Sequence, residues 1–147
     1  MSTLLSRILM TGTAASLTTA GVLGLLARAE GRDAVQPVNA TSHWLHGEGA
    51  GHSRAVDASH TFLGFATHYA ASMLWGALFQ RLRQARPDRS PLVDALGVSA
   101  LAAVVDYAVV PKRLTPGWEE VVSPASIAVT YAAMTLAFLA TCPRRAR

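Results

Sequence analysis

The sequence predicts an all-α fold, a four-helix transmembrane bundle with short connections and one longer outer loop. Composition is the first reason. Apolar residues make up 51% of the 147 residues and charged residues only 15%, against about 25% charged in soluble domains. One domain of this length cannot hide so much apolar surface in its own core, so lipid is the natural solvent. The second reason is distribution: the apolar residues fall into four blocks, each near the roughly 20 residues a helix needs to cross a bilayer. The third is the clustering of arginines beside those blocks.

The first block, about residues 8–27, contains no charged residue. Small residues recur along it at Gly12, Ser16, Ala20 and Gly24, a stripe that allows another helix to come close. The "ARA" at 27–29 after an apolar run also has the form of a signal-peptide cleavage site, the rival reading. Signal peptides carry an apolar run of about 7–15 residues, shorter than this one, and the Gly and Thr content suits helix packing. A retained span is the expectation.

The outer loop, 28–59, carries His43, His46 and His52 within "HWLHGEGAGH". With Glu48 these are weak candidates for zinc or copper. The spacing fits no tight ligand template, no thiolate assists, and glycines loosen the segment. A solvated or interface-lying loop is expected, with no metal and no cofactor. The sequon Asn39-Ala40-Thr41 carries little weight in a bacterial host.

The second span, about 60–80, repeats the small-residue stripe at Gly64, His68, Ser72 and Gly76. Antiparallel packing would set Gly24 opposite Gly64 and Gly12 opposite Gly76, with His68 against Ala20. The third span, about 91–110, opens at Ser90-Pro91, a capping hydroxyl ahead of a first-turn proline. It carries Asp94 in its first turn, where a carboxylate complements the helix dipole, and Asp106 near its outer end. Pro111 closes it. Thr115-Pro116-Gly117-Trp118 then reads as a reverse turn, with Pro and Gly supplying the two special dihedrals. Trp118, Trp44 and Trp75 are expected at headgroup level. Ser123-Pro124 opens the fourth span, about 124–141, and Pro143 closes it. The single cysteine, Cys142, excludes an intramolecular disulfide and reads as a small hydrophobe at a helix end.

Four spans put Arg7, Arg81, Arg83, Arg86, Arg89, Arg144, Arg145 and Arg147 on one side, eight basic residues against five on the other. The positive-inside rule then places both termini in the cytoplasm. The net charge of +4 needs no nucleic acid, because arginines flanking spans are orientation signals and anionic-lipid contacts.

An ionisable group at membrane depth is a functional candidate because lipid penalises it. His68 and Asp106 qualify, and with Thr19 and Tyr131 they fall in the outer half of the bundle. An Asp beside a His could move a proton or orient the ring. The structural alternative has His68 bonding a neighbouring helix and Asp106 pairing with Arg113. No phosphate-binding glycine loop, nucleophile elbow, HExxH or paired CxxC is present. A multidrug-type small transporter would want a carboxylate in its first span, which this chain lacks. The expected role is non-enzymatic: packing with lipid, with a membrane-protein partner or with a second copy. The alternative is proton or metal handling through His68 and Asp106.

Three stretches, "NATSHWLHG", "HTFLGFATHYAASMLWGALF" and "DYAVVPKRLTPGWE", together resemble small four-helix inner-membrane proteins of proteobacteria and are distantly similar to the YagU-like family. The resemblance covers about residues 37–140 and is most specific in the proline-rich hairpin. It implies a membrane protein and supplies no catalytic residues.

Overall fold

The computed structural model describes residues 3–142. Pro143, Arg144, Arg145 and Arg147, expected to close and flank the last span, lie outside the described residues. The fold is all-α, with no strand among the described residues. Helix α1, Leu4–Ala29, starts at Thr3, whose hydroxyl accepts the Ser6 N–H at 3.2 Å. Two short helices follow, α2 (Gln36–Ala40) and α3 (His43–His46), and then a 3₁₀ turn at Glu48–His52. A π-helical turn at Ala58–Phe62, capped by the Asp57 carboxylate on the His60 N–H at 2.6 Å, leads into α4, Leu63–Ala85.

Helix α5, Pro91–Val104, widens at its end into a second π turn, Val105–Val109, in which the Val110 N–H reaches the Val105 carbonyl at 3.0 Å. The hairpin between the last two long helices is tied by 3₁₀ turns at Lys112–Leu114 and Trp118–Glu120. Helix α6, Pro124–Ala140, begins with proline in its first turn and Ser123 as its cap. Ser90, expected to cap α5 in the same way, makes no side-chain cap bond. Asp94 does not stand free at the helix dipole either. It is 2% exposed and held by Arg83 at 2.7 Å and Arg89 at 3.3 Å. The Arg83 guanidinium also donates to the Pro87 and Arg89 carbonyls, locking the α4–α5 turn.

Each long helix packs mainly on two others: α1 on α4 and α6, and α5 on α4 and α6, with α4 and α6 meeting across the centre through their aromatic rings. The Phe79 and Phe138 rings stack in the centre at 5.0 Å. The partition of polarity is inverted relative to a water-soluble core. Thr11, Ser16, Thr19, His68, Ser72, Gln80 and Thr130 are buried, while Leu9, Leu17, Leu25, Leu74, Leu96, Leu101, Val129 and Leu136 face outward. Several of the buried polar groups are paired, as burial favours: Gln80 donates to Thr11 at 2.7 Å, and Thr11 to Thr141 at 3.0 Å, while the Ser16 and Ser99 hydroxyls have no partner among the described residues. Leu4–Ala29 and Pro91–Val109 are long and apolar enough to cross a membrane, whereas α6 is apolar but has 17 residues. Helix α4 has the length at 23 residues, but its polar side chains, Gln80 and the arginines among them, dilute its hydropathy.

The two small-residue stripes meet at one end and at mid-length, where His68 Nε2 lies 3.2 Å from the Ser16 carbonyl, and part at the other end. A Cβ on Gly76 would lie 2.9 Å from the Gly12 nitrogen, so these two backbones are in contact. At the other end Gly24 faces the Ala34 carbonyl and Gly64 faces the Val38 carbonyl. The segment 33–42 is wedged between α1 and α4 there and takes the place expected for a direct Gly24–Gly64 contact.

That segment also corrects the expectation of a loose loop. Gln36 and Asn39 are buried, and their side chains rope the segment together. Gln36 donates to the Gly51 carbonyl at 2.9 Å, and Asn39 donates to the carbonyls of Ser53 and Ala55, both at 2.9 Å. Residues 33–62 form an ordered cap over one end of the long helices.

Candidate functional site

Beneath the cap lies a cavity of about 280 Å³. The long helices supply its floor and walls, the π turn after α5 supplies a carboxylate, and the cap and hairpin supply its roof. All four residues singled out from the sequence line it: Thr19, His68, Asp106 and Tyr131.

Thr19 donates to the Ala15 carbonyl at 2.7 Å, so its oxygen is left as an acceptor. His68 Nε2 lies 3.0 Å from that oxygen and 3.2 Å from the Ser16 carbonyl. Both neighbours accept, so Nε2 carries the hydrogen. His68 was expected against Ala20; its hydrogen bonds go to Thr19, next to Ala20 in the chain, and to the carbonyl of Ser16, one turn earlier on the same stripe. It is 8% exposed.

Asp106 sits in the π turn Val105–Val109. A π turn holds one residue more than an α-helical turn and re-aims the side chains it carries. Tyr131 of α6 donates to Asp106 Oδ2 at 2.6 Å. Arg113, the partner considered for Asp106, instead donates to the Trp44 carbonyl at 3.0 Å. No hydrogen bond joins His68 to Asp106 among the described residues. Two rings stand between them: Trp118 lies edge-on to His68 at 5.7 Å and 6.0 Å from Tyr131.

The roof depends on the hairpin turn. Gly117 adopts φ 78°, the left-handed region, and a Cβ there would lie 2.7 Å from the Ala40 carbonyl and 2.8 Å from His43 Nδ1. Only glycine fits on both counts. His43 ties the same two segments, with Nδ1 3.0 Å from the Ala40 carbonyl and Nε2 3.1 Å from that of Lys112. Trp118 follows Gly117 and is buried in the cap, its indole N–H donating to Thr41 at 3.2 Å. Its ring therefore faces the protein interior.

Trp44 and Trp75 line the same cavity, so every tryptophan in the chain meets there. Sequence reasoning missed this. An indole that anchors at an interface and one that lines a cavity both need an apolar face and a partner for the N–H. Here Trp44 donates to Thr67 at 3.2 Å, a partner on another element that no spacing reveals.

The loop histidines do not converge. His43 bridges two carbonyls, His46 faces the Ser59 carbonyl and lies over the His60 ring at 4.5 Å, and His52 is exposed. No group of three or more His, Cys, Asp or Glu able to hold a metal occurs among the described residues. On the cap's exterior Lys112 pairs with Glu48 at 2.8 Å. That hydrogen bond holds the Glu48 carboxyl below the usual carboxylate range.

Among the described residues Asp106 is the only carboxylate on the cavity wall, and no lysine or arginine lines it. The arrangement is an aromatic and threonine-rich chamber with one acidic group at its edge. No protein family matches this chain, and no curated protein or solved structure is significantly similar to it.

Proposed function

We propose that this chain is a multi-pass integral membrane protein of a bacterial inner membrane, with spans formed by α1, α4, α5 with its π turn, and α6, and with both termini cytoplasmic. Its periplasmic half acts as a non-enzymatic binding module for a small ligand. The likeness to YagU-like membrane proteins belongs to the same proposal. The inverted polarity supports the membrane reading, because large apolar side chains face outward on all four long helices while Thr11, Gln80, Thr19 and His68 are buried and hydrogen-bonded inside. The outward faces meet lipid, a membrane-protein partner or a second copy.

The observation that carries the binding reading is the cavity. Apolar, concave sites with a few convergent polar groups are the usual form of small-ligand sites, and this one is roofed by an ordered cap, with no triad or metal cluster beside it. Proton handling by His68 and Asp106 is the second reading, favoured by their sharing one cavity and opposed by the rings of Trp118 and Tyr131 between them.

Filling the chamber tests the binding reading. Ala71 lines the cavity from α4 and is otherwise exposed, so Ala71→Phe adds a ring without displacing a packed neighbour. Small apolar alcohols should change the tryptophan emission of the detergent-solubilised protein saturably, and Ala71→Phe should weaken that response about tenfold or more through lost volume. An unchanged titration in the variant counts against the cavity as the binding site.

A further inference from the structure

We propose that the cavity is a site for a small organic ammonium ion, a quaternary or fully alkylated amine carrying a short arm. The inference rests on the ligand-binding reading above and names the ligand class for it. Its basis is the pairing of two features that seldom coincide by packing alone.

The first is the wall. Trp44, Trp75, Trp118 and Tyr131 all line the chamber. An aromatic face carries negative charge density, and a cation held against several such faces is stabilised without the need for hydrogen bonds. A quaternary ammonium cannot donate a hydrogen bond, so an aromatic cage is the chemistry that suits it. The indole N–H groups of Trp44 and Trp118 are already engaged by Thr67 and Thr41. Their rings are therefore held at the N–H edge by threonines of the same lining, and what remains to a ligand is their π surface.

The second is the charge. Asp106 is the one carboxylate on the cavity wall and faces no lysine or arginine across it. Among the described residues it accepts a side-chain hydrogen bond only from Tyr131, through Oδ2, so Oδ1 remains for the ligand. The Tyr131 hydroxyl steadies the carboxylate and at the same time places its own ring in the wall. His68 does not oppose a cation, because Nε2–H is turned away to the Ser16 carbonyl and the Thr19 oxygen. The lining hydroxyls of Thr41, Thr67 and Thr115 donate to the Pro37, Leu63 and Lys112 carbonyls, so what they offer the hydroxyl of a short arm is an acceptor.

Size agrees. A cavity of about 150 Å³ holds a benzene molecule, and this one is close to twice that volume at about 280 Å³. A trimethylammonium head with a two-carbon arm fits, and a long-chain surfactant does not.

The test compares choline with its uncharged isostere, 3,3-dimethylbutan-1-ol, on the full-length protein in a non-ionic detergent, by tryptophan emission and by calorimetry. Choline should bind at least about tenfold more tightly than the alcohol. Asp106→Asn should weaken choline about thirtyfold or more while leaving the alcohol unchanged. The wild-type comparison stands alone if that variant fails to fold. Equal affinity for choline and the alcohol overturns the cation assignment and leaves the cavity as a neutral-ligand site. No saturable response to either overturns both readings.

Discussion

Glu30 lies just beyond the end of α1, yet its work is done at the start of α6. Its carboxylate accepts the Ser123 N–H at 2.9 Å, the Ser123 hydroxyl at 2.8 Å and the Ser126 hydroxyl at 2.5 Å. It thus supplies negative charge to a helix N-terminus that has no acidic residue of its own in the first turn. The hydrogen bonds from Ser126 and Ser123 hold the Glu30 carboxyl below its ordinary value of 4.5. A carboxyl lowered in the folded state stabilises the fold above its unfolded value, and that contribution fades as pH falls through the folded value. Glu30→Gln should therefore lower the melting temperature in detergent at neutral pH, and the gap from wild type should close as pH drops below about 4.5. A gap that persists to pH 3 would show that ionisation of Glu30 is not what ties the two helices. At this scale the sequence was legible where the side chain explains itself. His68 and Asp106 stood out because charge and imidazole are costly in an apolar block. Thr19 and Tyr131 were legible as their companions in the outer half, but not the pairing, which sets His68 with Thr19 and Asp106 with Tyr131 and leaves the two titratable groups unbonded to each other.

The contact of α1 with α4 is set by the absence of side chains. A Cβ on Gly76 would sit 2.9 Å from the Gly12 nitrogen and 3.1 Å from its Cα, and main-chain atoms cannot step aside as a side-chain tip can. Gly76→Leu should destabilise the folded protein by about 1–3 kcal/mol or more through overpacking. Leucine at the exposed Ala70 of the same helix should change stability by less than about 0.5 kcal/mol. Recovery of monodisperse protein after mild heating reads both variants, and equal tolerance would discard the interface. The stripes in the sequence reported correctly that backbones come close at Gly12 and Gly76. They were silent about which backbone: Gly64 is as tightly covered, but by the Val38 carbonyl of α2. A small residue records proximity, and only folding assigns the neighbour. The cap was misread for the same reason. Its glycines and polar residues have the composition of a loose loop, and its order comes from Gln36 and Asn39 reaching 14 to 16 residues along the chain.

At the scale of the whole molecule, the long helices keep polar groups inward and apolar groups outward. The all-α class was legible because four apolar blocks separated by prolines and arginines leave little else to form. Whether each block spans was harder to read, since Gln80, Arg81 and Arg83 share α4 with its apolar face. The proposed orientation is read from the arginines. Reporter fusions at Arg86, in the α4–α5 turn, should score as cytoplasmic, and fusions at Gly49, in the cap, as periplasmic. The reverse pair of signals would invert the molecule, and two cytoplasmic signals would mean that α1 and α4 do not both cross.

The buried Asn39 has a consequence for how the protein is made. Its amide nitrogen is committed to the Ser53 and Ala55 carbonyls and its oxygen receives the Thr61 hydroxyl at 2.7 Å. It also heads the tripeptide Asn39-Ala40-Thr41, an acceptor for sugar in a eukaryotic secretory pathway. Oligosaccharide added there while the chain is still emerging would occupy the nitrogen before the cap could close over it. Yeast or insect production would then deliver protein with a jammed lid, whereas a bacterial host would leave the side chain bare and free to lock.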